Sequence, residues 1–290
     1  MERSFTIDAG DGGPRLVAHG SWSPAVAEAM RANRVTELEL NYAKGWSGTD
    51  YSFLADLPAL EALEITDWNA KDVSALNALN ELRKLKVFTY CKTEIRFPEL
   101  PRLEDCSLEW RPKASSMFQH RGIKKLFVNK CPERDLRRFS TMTQLASLSL
   151  ASPKLESLEG AATLQQLTFL GVYVASRLTS LRGIEPLSRL RDLEVNDCRK
   201  VGSIEPLAGL GSLRHLQLCN DGRIDTLAPL AGLQELETFL FYESTDVADG
   251  DLTVLKRLPK LQHVVFMDRP HYSDRQSNFP RRDARGAAQA

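Results

Sequence analysis

From Leu155 onward one apolar ladder recurs at a fixed period of 23 residues, and self-similarity on that scale constrains the fold more strongly than any local propensity. Leu155, Leu158, Ala161, Leu164, Leu167, Leu170 and Val172 return as Leu178, Leu181, Ile184, Leu187, Leu190, Leu193 and Val195. A third copy runs from Val201 to Leu218 and a fourth from Ile224 to Phe241, with no insertion between copies. In each copy the last two apolar residues are spaced by two, so they point the same way from a short strand, as Leu216 and Leu218 do in LRHLQL. The earlier apolar residues recur every three, which suits tight helical turns, and Pro206 and Pro229 on one rung disfavour a long helix. One copy cannot bury its own apolar edge. Each strand must therefore stack in parallel on the next with the turns packed behind, which makes a solenoid.

The strand pattern extends toward the N-terminus through Leu145/Leu148/Leu150, Ile123/Leu126/Val128, Leu103/Cys106/Leu108, Leu82/Leu85/Val87 and Leu60/Leu63/Ile65 to Val35/Leu38/Leu40. It closes at Leu261/Val264/Phe266 after a two-residue slip. That predicts eleven strands, and at roughly 4.8 Å each the sheet spans on the order of 50 Å, a surface suited to a folded macromolecule more than to a small metabolite. The reading divides the chain into an N-terminal cap over 1–34, the solenoid over 35–267 and a C-terminal capping segment with an unstructured tail over 268–290. In the first cap, SWSPAVAEAMRAN predicts a short helix capped by Ser23, with Pro24 in its first turn, and Gly10, Gly12 and Gly13 predict a turn between two strands. GDGG is read as that turn, because no strand-to-helix transition or Lys-Ser/Thr pair follows to make a phosphate loop.

The strings GIEPLSRLRDLEVNDC, SIEPLAGLGSLRHLQL and TLAPLAGLQELETFLF resemble leucine-rich repeats of the bacterial, internalin-like class. The resemblance covers about Val35 to Phe266 and implies an α/β solenoid, with a curved parallel sheet of about eleven short strands and short helical turns on the convex side. It also implies a scaffold that recognises a protein through its concave face. The chain departs from the repeat pattern at the inward rung three residues after the last strand apolar. Cys131 and Cys198 fill that rung as expected, but the same count gives Trp68, Tyr90, Arg111, Pro153 and Asp221 elsewhere.

Composition narrows the function classes. With 38 basic and 38 acidic side chains there is no net field to draw the chain to nucleic acid or an anionic membrane. No apolar run approaches the ~18 residues of a membrane span and no secretory pattern opens the sequence, so a cytoplasmic location is expected. Five cysteines without framework spacing are read as reduced thiols packed as small apolar groups. No cofactor or metal is expected. His215 and Cys219 lie about 13 Å apart along one strand, too far for a nucleophile and its base, and His215 and His263 lie about 10 Å apart across one, too far to share a metal. The chain is therefore read as not an enzyme.

The outward strand residues carry the functional argument. In the early repeats they are charged: Lys84, Asp105 and Lys125 alternate along one column and Glu64 faces Lys86 in the next, so these groups can pair among themselves. In the later repeats aromatic and aliphatic residues take over, which on a rigid sheet mark interface anchors. Phe127, Phe169, Tyr173, His215, Leu240, Tyr242 and His263 are the candidate partner-binding residues, with Val265 and Met267 alongside. Two further features are weighed. The basic run Lys124, Lys125, Lys130, Arg134, Arg137 and Arg138, set against only Glu133 and Asp135, is read as a solvated face before a docking site for an acidic partner or RNA. Trp46, Trp68, Tyr90 and Trp110 in the loops after the early strands are read as core substitutes before a binding rim. The expected partner is a protein, with a membrane excluded, nucleic acid disfavoured and the chain itself a monomer. An inhibitor or immunity protein that blocks one enzyme or toxin, and an effector acting in another cell, remain as alternatives.

Overall fold

A computed structural model describes residues 4–281. The tail expected at the C-terminus falls mostly on 282–290, outside the described residues. The chain forms two compact units, one ending at Asn129 and the other beginning at Lys130.

The first unit opens with an antiparallel hairpin of β1 (Phe5–Ala9) and β2 (Pro14–Ala18), joined by the predicted glycine turn. β2 then pairs in parallel with β3 (Glu37–Asn41), which begins the repeat strands: β4 (Ala62–Thr66), β5 (Lys84–Phe88), β6 (Asp105–Glu109) and β7 (Lys125–Asn129). These four neighbours follow in order, each parallel to the one before. Between β2 and β3 lies α1 (Pro24–Ala32), the predicted helix, which buries Val26 and Met30. Ser23 stands at its cap in extended backbone, but its hydroxyl makes no capping bond; its carbonyl instead accepts the N–H groups of Val26 and Ala27. Turns of 3-10 helix at Ser52–Asp56, Ser74–Ala78, Phe97–Glu99 and Pro112–Gln119 connect the strands. The apolar spacing of three dictates that form, since side chains three apart eclipse on a 3-10 helix and face one core.

The second unit stacks β8 (Ser147–Ala151), β9 (Phe169–Tyr173), β10 (Asp192–Asn196), β11 (His215–Cys219), β13 (Thr238–Phe241) and β15 (His263–Phe266) in that order. Behind them β12 (Arg223–Ile224) and β14 (Asp246–Val247) form a small parallel pair. The register is that of the ladder: Leu193 lies against Leu170 and Leu216, and Leu216 against Phe239. The eleven expected strands are thus all present, five in the first unit and six in the second. Gly160 and Gly183, one period apart, both adopt positive φ (101° and 109°), and a Cβ on either would strike the backbone of the preceding repeat at 2.5–2.6 Å.

The last strand would present an open edge, which invites pairing with another chain. The following segment closes it. Gln276 accepts the Phe266 N–H through Oε1 at 2.5 Å and donates Nε2–H to the Val264 carbonyl at 2.8 Å, so one side-chain amide substitutes for a neighbouring strand. Val264 N–H is taken by the Pro280 carbonyl, and Phe279 is buried edge-on against Phe266.

Candidate binding face

Side chains alternate across each strand, so the residues between the core leucines stand on the open face of the sheet. In the first unit that face neutralises itself. Lys86 Nζ lies 2.7 Å from Glu64 Oε1, and Lys125 reaches Asp105 at 3.8 Å, as the charge alternation anticipated. Lys84 departs from that expectation. It bonds Asp11 in the hairpin turn, which folds over the face and donates the Gly12 N–H to Glu37 Oε1 at 2.5 Å. Glu39 is buried and lies 2.7 Å from Lys44 and 3.8 Å from Arg15. Phe127 is half-buried, its ring 6.0 Å from that of Phe88.

The face of the second unit divides into two apolar patches with a polar lane between. Phe169 and Tyr173 share β9, both half-buried. The Tyr173 ring lies back over Gly171, where a Cβ would meet it at 2.5–2.8 Å, and its hydroxyl donates to Glu194 Oε2 at 2.5 Å. Burial and the Glu194 carboxylate push the Tyr173 phenol well above its ordinary range, so it stays a donor. Three strands along, Leu240 is set against Val265 by the β13–β15 register, with Tyr242 and Met267 just beyond the strand ends. Met267 is 52% exposed, so the described part of the C-terminal segment, which closes the sheet edge, leaves that side chain open. Between the patches run Asp192 with His215 (2.5 Å) and Asn196 with Gln217 (3.2 Å). His263 pairs with Thr238 at the β13–β15 step. Sequence spacing placed His215 and His263 on one column correctly but did not reveal the carboxylate beside His215.

The basic run is neutralised by its own two acids and by acids of neighbouring repeats. In the first unit Lys124 bonds Glu104 at 2.9 Å; in the second Arg134 reaches Glu156, Arg137 reaches Asp135 and Glu159, and Arg138 reaches Glu133 at 2.8 Å. Exposed pairs of this kind hold their charges locally and add little stability.

The inward rung is where the sequence count went wrong. The buried polar side chains that fill it are Asp67, Thr89 and Ser152, one residue before the positions expected. Trp68 is half-buried, Pro153 is exposed, and Tyr90 is 62% exposed with its ring 4.6 Å from Trp68, so these are not core substitutes. Trp46 is one: it is buried and donates Nε1–H to the Tyr51 hydroxyl at 2.9 Å, which in turn donates to Asp67 at 2.7 Å. Arg111, Cys131, Cys198 and Asp221 do lie inward as counted. The rung forms a chain of side-chain-to-backbone bonds: Ser152 Oγ donates to the Cys131 carbonyl, Asp221 Oδ1 accepts the Cys198 N–H at 2.7 Å, and Thr245 Oγ1 accepts the Asp221 N–H at 3.0 Å.

No protein-family model and no curated protein sequence matches the chain. Solved structures do. An internalin, InlF, from Listeria monocytogenes is similar over 88% of this chain and 82% of its own, at 22% identity and a TM-score of 0.56. Internalin C2 from the same organism is similar over 74% and 84%, at 18% identity and 0.50. The Arabidopsis receptor kinase HAESA, in complex with the peptide hormone IDA and the co-receptor SERK1, is similar over 81% of this chain and 43% of its own, at 16% identity and 0.55. The chain has the leucine-rich repeat fold, of the kind found in internalins. In this leucine-rich repeat chain no helix among the described residues is long and apolar enough to cross a membrane.

Proposed function

We propose that this leucine-rich repeat chain is a non-catalytic scaffold that binds a protein on the concave, open face of its repeats, with the second unit supplying the anchors. The observation that carries the reading is the contrast between the two faces. In the first unit the charges are answered within the protein, whereas in the second two apolar patches flank a lane whose polar groups are already paired. A partner that covers Phe169, Leu240, Tyr242 and Met267 removes apolar surface from water without stripping an unpaired charge. HAESA, held with a peptide hormone and a co-receptor, supports a polypeptide as the class of partner. Five unpaired, buried thiols support a reducing compartment such as the cytoplasm.

The test is affinity capture from the source cell, followed by titration of the purified partner against variants. Phe169→Ala combined with Leu240→Ala is expected to weaken binding by about 2 kcal/mol or more, roughly thirtyfold in Kd. Lys86→Ala on the first unit's face is expected to change it little. Equal losses from both, or no loss from the first, would reject the second unit's face as the contact.

A further inference from the structure

The five thiols are all buried, but they do not share one environment. Burial pushes Cys131 and Cys219 up to about 11, Cys198 up to about 12 and Cys106 higher still, so each is an inert apolar group at neutral pH. Cys91 differs. It lies in the loop after β5, with Thr89 Oγ1 3.1 Å from its Sγ. From the loop after β6, Arg111 donates Nη1–H to Cys91 Sγ at 3.4 Å and Nη2–H to Thr89 Oγ1 at 2.9 Å.

Arg111 is the telling partner. It is 2% exposed, and among the described residues no carboxylate forms an ion pair with it. Its Nε–H finds no hydrogen-bond acceptor in the protein. A guanidinium cannot shed its proton, and an isolated buried charge costs several kcal/mol. The neighbouring ionisable groups do not answer it. Glu109 attracts Arg111 through space and takes a bond from Asn129. Burial and the Asp67 carboxylate keep the Tyr51 phenol protonated, and Cys106 is held as a thiol. Among these groups, Cys91 Sγ is the one that takes a direct hydrogen bond from the guanidinium and can carry a negative charge against it.

We propose that Cys91 is a thiolate at neutral pH, ion-paired with Arg111, and a site of covalent modification by small hydroperoxides. Attack of the thiolate sulfur on the terminal peroxide oxygen forms an S–O bond and breaks the O–O bond. Sulfur gives up two electrons to become the sulfenic acid, and the departing oxygen, reduced, takes a proton from water as an alcohol, or as water when the oxidant is hydrogen peroxide. At 9% exposure Cys91 is within reach of a molecule of that size, while a protein thiol is too large. Although burial by itself would raise the Cys91 thiol, the bonds from Thr89 and Thr93 and the Arg111 charge outweigh it and hold the group below its ordinary value.

Limited iodoacetamide labelling of the native full chain, mapped residue by residue by mass spectrometry across about pH 6 to 9, tests the thiolate. Cys91 is expected to react about tenfold or more faster than the other four cysteines, with a rate that has levelled off by neutral pH. Arg111→Met is expected to lower that rate about tenfold near pH 6.5 and move the profile to that of an ordinary thiol. Should circular dichroism show Arg111→Met unfolded, Thr89→Val and the absorbance of the native thiolate near about 240 nm supply the same comparison. Hydrogen peroxide followed by dimedone is expected to label Cys91 first. A Cys91 no faster than its neighbours, a profile indifferent to loss of Arg111 or Thr89, or no dimedone adduct would each overturn the proposal.

Discussion

Asp221 stands on the inward rung with its carboxyl 1% exposed. Oδ1 accepts the Cys198 N–H at 2.7 Å, but Oδ2 has no hydrogen-bond partner in the protein. Burial, reinforced by Asp197 and only partly offset by the Cys198 N–H, pushes its pKa from an ordinary 3.8 up to about 7. Between those two values the folded protein holds a proton that the unfolded chain has released, so this group makes stability fall as pH rises. Its contribution is complete below about pH 4 and is lost by about pH 7, over roughly three pH units at about 1.4 kcal/mol each, about 4 kcal/mol in all. Asp221→Asn keeps the oxygen that accepts from Cys198 and removes the charge, while leaving a buried amide N–H to satisfy at a cost of about 1–3 kcal/mol. The variant is therefore expected to be more stable than the parent by about 1–3 kcal/mol near pH 8, and to lose that advantage near pH 5. Urea unfolding followed by far-ultraviolet circular dichroism at both pH values measures it. The difference between the two proteins isolates this carboxyl from groups such as Asp274, which Lys256 holds down at about 2 and whose effect runs the opposite way with pH. An advantage that stays constant between the two pH values, or a variant weaker than the parent at both, would refute the assignment of a buried, protonated carboxyl.

Leu216→Ala removes a side chain 1% exposed between Leu193 and Phe239, and is expected to cost about 2–5 kcal/mol in the same unfolding assay. Gln217→Ala, one residue along on the open face with a single bond to Asn196, is expected to cost about 0.5 kcal/mol; similar losses at both would mean that the strand faces are reversed. Val174 holds φ at 57° although β-branched, on a rung where Asp197, Asn220 and Glu243 also adopt the left-handed conformation. Val174→Asn is expected to raise stability by about 0.5–1 kcal/mol, since Asn tolerates that region and the valine is 50% exposed, and an unchanged melting temperature would count against strain at this rung.

The ladder from Leu155 to Phe241 determined the repeat, the parallel strands, the 3-10 turns and the inward register by itself, because each copy states the same apolar pattern and contacts only its neighbours. It also sorted the open-face residues into columns, since a period of two admits no other assignment once the leucines are buried. In the early repeats that redundancy is missing, and counting from the strand chose Trp68 and Tyr90 for a rung that Asp67 and Thr89 occupy. One residue of turn geometry separates the two choices, and it is set by which short polar side chain can bond the backbone of the adjoining repeat. Contacts between repeats were likewise beyond reach. That Lys84 turns to Asp11, that Asp192 sits beside His215, that Gln276 closes the β15 edge and that Arg111 reaches Cys91 all depend on residues 10 to 73 positions apart. Their pairing follows from where each loop comes to rest, which no periodicity encodes, and so the scaffold was legible in the sequence while its polar chemistry was decided only by the folded chain.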